Sequence, residues 1–274
     1  MKFAICNETF QDWPFERAFA FAAECGYTGL ELAPFTVADY ATDITPQQRT
    51  KVRRQAEAAG LEIVGLHWLL AKTEGLHMTS PEAEVRRNTS EYFGELARLS
   101  ADLGGRVMVC GSPKQRDLLP DVTHEEALEH AAEVFRAALP VFEETDVVLA
   151  FEPLAPAETN FVNTAASAVE LIERVGSPHF RLHLDCKAMS SESTPIPELI
   201  HRHRDLLAHF HVNDPNMQGP GFGELDFLPI LRALGEVDYR GWVSVEVFDY
   251  NPGVERLARE SIDYLRQCLA KLAE

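Results

Sequence analysis

The sequence predicts an α/β protein folded as one (β/α)₈ barrel over residues 1–274. Three observations carry that prediction. Short apolar runs alternate with amphipathic segments eight times along the chain, and no Pro/Gly/Ser-rich linker interrupts the series. Eight such units in this length suit a closed parallel barrel. The main rival, a doubly wound open sheet, lacks its usual markers: no GxGxxG follows the first run and no GxxxxGK[ST] occurs.

The elements follow in order. KFAIC (2–6) is a strand, and FERAFAFAAECG (15–26) is an amphipathic helix closed by Gly26. TGLELA (28–33) is the second strand. The helix 45–60 has Thr45 as N-cap, Pro46 in its first turn and Gly60 at its end. EIVGLHW (62–68) is the third strand, and a long helix, 80–104, opens on a Ser-Pro pair read as its cap. RVMVCG (106–111) precedes the helix 124–145, and VVLAFE (147–152) precedes the helix 164–176. FRLHLD (180–185) leads to a helix at 196–206, LAHFH (207–211) to one at 227–239, and WVSVEVF (242–248) to the last, 254–274.

A hydrophobic fraction of 46% and a charged fraction of 25% are ordinary for a globular protein. The net charge of −18 argues against nucleic acid or an anionic membrane as partner, since both attract Lys/Arg surfaces. The five cysteines are dispersed without a CxxC, which indicates neither a zinc ribbon nor a disulfide framework. MKFAICNETF lacks a signal-peptide core and no long apolar run occurs, so a cytoplasmic location is the expectation.

In a barrel the C-terminal strand ends form the active face. The candidates there are Asn7, Glu31, His67, Trp68 and the turn Cys110-Gly111-Ser112. The last four apolar runs end in Glu152, Asp185, His211 and Glu246, at intervals of 33, 26 and 35 residues. Any one of these alone is more often a capping or salt-bridged residue. Together they place three carboxylates and an imidazole in one site, and like charges cannot share a dry site without taking up protons or a cation. That donor set suits a divalent ion such as Mn²⁺, Mg²⁺ or Co²⁺. Side chains two apart on a strand face the same way, so His183 lies beneath Asp185 and His209 beneath His211, as groups that orient ligands. The loop GSPKQRDL (111–118) brings Lys114 and Arg116 to the rim, where a clamp on an anion or distal hydroxyls competes with plain solvated charge. Phe10, Trp13, Phe35 and Trp68 are candidates to offer a ring face to a ligand, with core packing as the alternative.

The segments AFEPL around Glu152, LHLDCKAM around Asp185, HFHVNDPN around His211 and VSVEVFD around Glu246 resemble the xylose-isomerase-like barrel superfamily of sugar phosphate isomerases and epimerases. The likeness covers the whole chain, and the ketose 3-epimerases are the best-described comparison. It implies one divalent ion, Mn²⁺ first, with Mg²⁺, Co²⁺ or Zn²⁺ as alternatives. Glu152, Asp185, His211 and Glu246 would hold it, and Glu152 and Glu246 would also move protons. Glu158 matches a family carboxylate near the sugar, and His183, Lys187, His67 and Arg116 complete the substrate-side candidates. Two positions depart from the epimerases: Ala188 stands where they carry a His, and Met217 where they carry an Arg. Both departures touch the substrate grip and leave the metal set intact.

The implied function is a divalent-metal-dependent epimerase or isomerase of a keto sugar or sugar derivative. One Glu would take a proton next to the carbonyl, through a metal-stabilised enediolate, and the second would return one on the opposite face. The same residues would serve a lyase or hydro-lyase on a 3-keto-glycoside. A nuclease of the endonuclease IV type, with His67 and Glu31 as extra ligands, is a remoter alternative that the acidic charge opposes. A non-catalytic sugar-binding protein is a third. The partner expected is a small-molecule sugar, and the resemblance implies a homo-oligomer, dimer or tetramer.

Overall fold

Eight parallel strands close on themselves in strict chain order in the computed structural model, which describes residues 1–274. They are β1 (Lys2–Cys6), β2 (Gly29–Leu32), β3 (Glu62–Leu66), β4 (Val107–Cys110), β5 (Val148–Phe151), β6 (Phe180–Asp185), β7 (Leu207–Val212) and β8 (Trp242–Val245). The barrel shuts where β8 pairs with β1, Lys2 opposite Trp242. Around it run α1 (Phe15–Cys25), α2 (Pro46–Ala58), α3 (Ala83–Leu103), α4 (His124–Thr145), α5 (Ala165–Val175), α6 (Cys186–Met189), α7 (Ile196–His203), α8 (Phe227–Glu236) and α9 (Val254–Ala273). No helix is long and apolar enough to cross a membrane.

Local chemistry sets most boundaries. Thr45 and Gln48 form a reciprocal capping box at the start of α2, as do Thr123 and Glu126 at α4. Gly26 ends α1 at φ 101°, the left-handed conformation that costs glycine nothing. The expected Ser-Pro cap of the third helix fails. The Ser80 hydroxyl accepts from the Glu82 N–H, Glu82 stays extended, and α3 starts at Ala83. The helices expected to reach residues 206 and 239 stop at His203 and Glu236. The strand expected to include Trp68 stops at Leu66, and Trp68 turns the chain outward at φ 53°. The short α6 was not expected; the Asp185 carboxylate caps it by accepting from the Ala188 N–H.

The apolar core lies between sheet and helices. Phe135 of α4 packs on Phe180 of β6 with ring centroids 4.5 Å apart, and on Phe93 of α3 at 5.1 Å. Phe151 joins this cluster, 5.8 Å from Phe135, so Ala150 and Glu152 on either side of it turn to the barrel interior. That alternation carries apolar residues outward and polar ones inward on the later strands. The interior is narrow beside β3. A Cβ on Gly65 would lie 1.8 Å from the Val107 carbonyl oxygen, so the close approach of β3 to β4 requires glycine there.

Candidate metal-dependent active site

Register brings the candidates together. Asp185 is the β-ladder partner of His211, and His211 is the partner of Ser244, two residues before Glu246. All four side chains expected to bind a metal are buried at the C-terminal end of the barrel. Glu152 and Glu246 also line a cavity of about 380 Å³ that opens on this face.

His211 shows what the cluster needs. Its Nε2 lies 3.1 Å from Glu31 Oε2, and its Nδ1 lies 3.0 Å from Glu246 Oε2. A neutral imidazole donates from one nitrogen only. Donation to Glu31 leaves the Nδ1 lone pair against a carboxylate oxygen, a contact that is favourable only with a proton or a cation between them. Burial opposes charge on His211, yet Glu31 and Glu246 hold its pKa well above the ordinary value. Asp185 accepts from the Ala188 N–H at 2.7 Å and from Asn213 Nδ2 at 2.6 Å. Burial and the neighbouring Glu246 push its carboxyl up to about 6. Burial, Asp185 and Glu246 raise Glu152 well above the usual carboxylate range. Glu246 goes the other way: although burial opposes its charge, His211 pulls it below its ordinary value. Three crowded carboxylates, lone pairs left free and an imidazole nitrogen aimed at one of them fit a hard or borderline divalent cation. Glu152, Asp185, His211 and Glu246 are the residues that would hold it.

Several side chains brace these four. Glu31 of β2 is fully buried and accepts from His209 and His211. Burial alone would raise its pKa, but the two imidazoles bring it well below the ordinary range. His183 lies beneath, its ring centroid 4.2 Å from that of His211, with no protein partner for either nitrogen. It is away from the cavity lining, so its place is that of a packing neighbour to the ligand imidazole and not of a sugar contact. The Trp68 indole donates to Glu246 Oε1 at 3.1 Å. A Cβ on Gly111 would stand 2.5 Å from Glu152 Oε2, so only glycine leaves room for that carboxylate.

On the substrate side, Lys187 and Glu158 line the cavity and pair at 2.8 Å. His67 lines it too, while Phe35, Trp68 and Phe248 form an aromatic wall. Arg116 does not reach the rim, contrary to expectation. It is fully buried, packs on the Phe151 ring at 4.4 Å, and donates to the Glu152 and Cys110 carbonyls, both at 2.7 Å. Two guanidinium nitrogens tie the backbone after β5 to the end of β4, so Arg116 braces the frame and is not a substrate clamp. Lys114 of the same loop lines the cavity. Asn7 ties Ala33 and Thr36 together, and Phe10 packs on Trp13, so these three lie outside the cavity.

Sequence reasoning missed Asn213 and Glu8. Asn213 was within reach, because it continues the inward alternation His209, His211 along β7. It holds Asp185 and also accepts from the Lys187 N–H at 2.8 Å. Nothing local marks Glu8, whose partner is 59 residues away.

A closed parallel barrel whose strand ends bury carboxylates and imidazoles within reach of one another has a candidate metal centre at its mouth. The family model described as "Xylose isomerase-like TIM barrel" matches residues 19–268, and the chain belongs to that family. The D-psicose 3-epimerase of Enterocloster bolteae is 29% identical over 234 residues, covering 81% of this chain and 73% of that protein. The 3-dehydro-D-guloside 4-epimerase of Escherichia coli K12 is 29% identical over 191 residues, covering 68% of this chain and 73% of that one. Among solved structures, the D-psicose 3-epimerase of Clostridium cellulolyticum H10 with D-tagatose superposes with a TM-score of 0.87 at 20% identity, over 98% of this chain and 99% of that one.

Proposed function

We propose that the protein is a divalent-metal-dependent epimerase of a keto sugar or sugar derivative, with Glu152 and Glu246 as its proton-transfer pair. One observation carries this reading: two buried carboxylates, Glu152 after β5 and Glu246 after β8, enter a single cavity. Carboxylates that reach one cavity from different strands can take a proton from one face of a carbon beside a carbonyl and return one to the other.

A bound divalent ion, Mn²⁺ being our first assignment, supplies Lewis-acid polarisation of the carbonyl. The chain's own residues do the rest. Trp68 fixes the Glu246 carboxylate, Asn213 fixes Asp185, and Gly111 gives Glu152 its space. Lys187 and Glu158 offer a donor and an acceptor to sugar hydroxyls at the wall where the epimerases' His is replaced by Ala188. Leu154, Trp68 and Phe248 give the cavity an apolar side. The names of the two curated relatives, a ketose 3-epimerase and a dehydro-guloside 4-epimerase, support a carbonyl-bearing sugar as substrate. The net charge of −18 opposes the nuclease alternative.

The test is incubation of the Mn²⁺-loaded enzyme in D₂O with D-psicose, D-fructose, D-tagatose and 3-keto-glycosides. Deuterium is expected at one carbon of one substrate, with loss of exchange on chelation. Glu246→Gln should slow exchange about 10³-fold, within the range for losing a general base. Persistent exchange in that variant would sink the two-base assignment, and an unsaturated product would replace epimerisation by elimination.

A further inference from the structure

Glu8 and His67 form a buried pair that the metal site and its proton chemistry do not use. Glu8 follows β1 and His67 follows β3, and both are all but shut off from solvent. His67 Nε2 lies 2.5 Å from Glu8 Oε2. With the Nε2 hydrogen on that contact, Nδ1 is left over. Nδ1 of His67 and Oε1 of Glu8 are both buried without a protein partner. Buried polar atoms are seldom left unpaired, because each forfeits its hydrogen bonds to water. His67 is also part of the cavity lining, beside Trp68 and Glu246. His67 therefore has one nitrogen without a protein partner at a residue that lines the substrate cavity, and the Glu8 carboxylate locks its orientation.

We propose that the Glu8–His67 pair is a specificity-determining subsite that binds one hydroxyl of the sugar through His67 Nδ1. A hydroxyl suits either state of the ring. It donates to Nδ1 of a neutral imidazole and accepts from Nδ1–H of a charged one. An apolar substituent or a missing hydroxyl would leave the buried pair unsatisfied, which is how a polar site rejects a deoxy analogue. Glu8 acts as a positioning residue through His67. The subsite rests on the proposed sugar-epimerase reading for its ligand class, and binding tests it separately from turnover.

The experiment is calorimetric titration of the Mn²⁺-loaded protein with D-psicose, D-fructose and a methyl 3-keto-glycoside, then with the monodeoxy analogues of whichever binds. Each titration is repeated with His67→Leu, His67→Gln and Glu8→Gln, after checking that metal content and circular dichroism match the parent. His67→Leu is expected to weaken the parent sugar about tenfold, the effect of one lost hydrogen bond to a polar site. For a single deoxy analogue, parent protein and His67→Leu should bind equally, and His67→Gln should recover part of the loss. Equal weakening across every analogue, or none, overturns the subsite. Binding that follows the expected pattern without deuterium exchange overturns the epimerase reading and leaves the subsite standing. Failure of every sugar to bind overturns both.

Discussion

Strands β5 to β8 end in buried side chains that crowd one another at one end of the barrel, whereas β2 and β3 lead into side chains that bond to them from the other side. Glu152, Asp185, His211 and Glu246 belong to the first group. Glu31, with its two imidazoles, and Trp68, on Glu246, belong to the second. On the proposed reading the two halves of the mouth divide labour: one supplies donors for a cation, and the other fixes where those donors point. An orienting shell of this kind commonly matters nearly as much as the ligands themselves.

Substitutions on either side can break that division. Asp185→Asn removes a charge from the donor half while keeping its shape and its contact with Ala188. Metal bound per chain, measured on dialysed protein, should fall below detection and exchange about 10³-fold, the scale of losing an essential group. Retained metal would mean that the other three residues suffice. Glu31→Gln acts only from the bracing half. It should weaken metal affinity by about 10–100-fold in a competitive chelator titration, the usual cost of a lost orienting partner. No change would reduce Glu31 to a structural residue.

Acid should expose the donor half in another way. Asp185 takes up a proton near 6 in the folded chain against 3.8 for a free carboxyl, and Glu152 is raised as well. For an acid with a raised folded pKa, the folded state binds the extra proton between the two values, so its contribution to stability declines as pH rises through that window. A cation relieves the same repulsion and must displace those protons to bind. The rise in Tm on adding Mn²⁺ should therefore be larger at pH 7 than at pH 5, read by differential scanning calorimetry. A shift independent of pH would separate the ion from these carboxyls. Trp68→Phe, the mildest change, keeps the aromatic wall and deletes one N–H donor to Glu246. A five- to tenfold fall in kcat with little change in KM is expected, as one charge-assisted hydrogen bond is lost.

How much of this was readable beforehand follows the same divide. The placement of the four candidate donors was legible because each ends an apolar run, a local signal that strand periodicity turns into position. The bracing half was legible only as names at strand ends. That Glu31 holds His209 and His211 depends on pairings across 178 and 180 residues, which no local pattern encodes. The Thr45 cap placed the start of α2 correctly, while the Thr123 cap of α4 was found only in the structure. Ser80 misled because its hydroxyl bonds the Glu82 N–H while Glu82 stays extended, which delays the helix to Ala83. Arg116 misled because a charged residue in a polar loop reads as exposed, and only the carbonyls and the Phe151 ring it packs against explain its burial.

That buried arginine bears on how the specificity of this barrel could be altered. The loop 111–118 carries Lys114 into the cavity wall and is an obvious cassette for exchange with other barrels. Its Arg116, however, is fastened to the last carbonyls of two neighbouring strand ends. A transplanted loop without an equivalent guanidinium would unmoor the backbone that presents Glu152. The portable unit is therefore larger than the loop: it includes Cys110, Glu152 and the Phe151 ring on which the arginine rests.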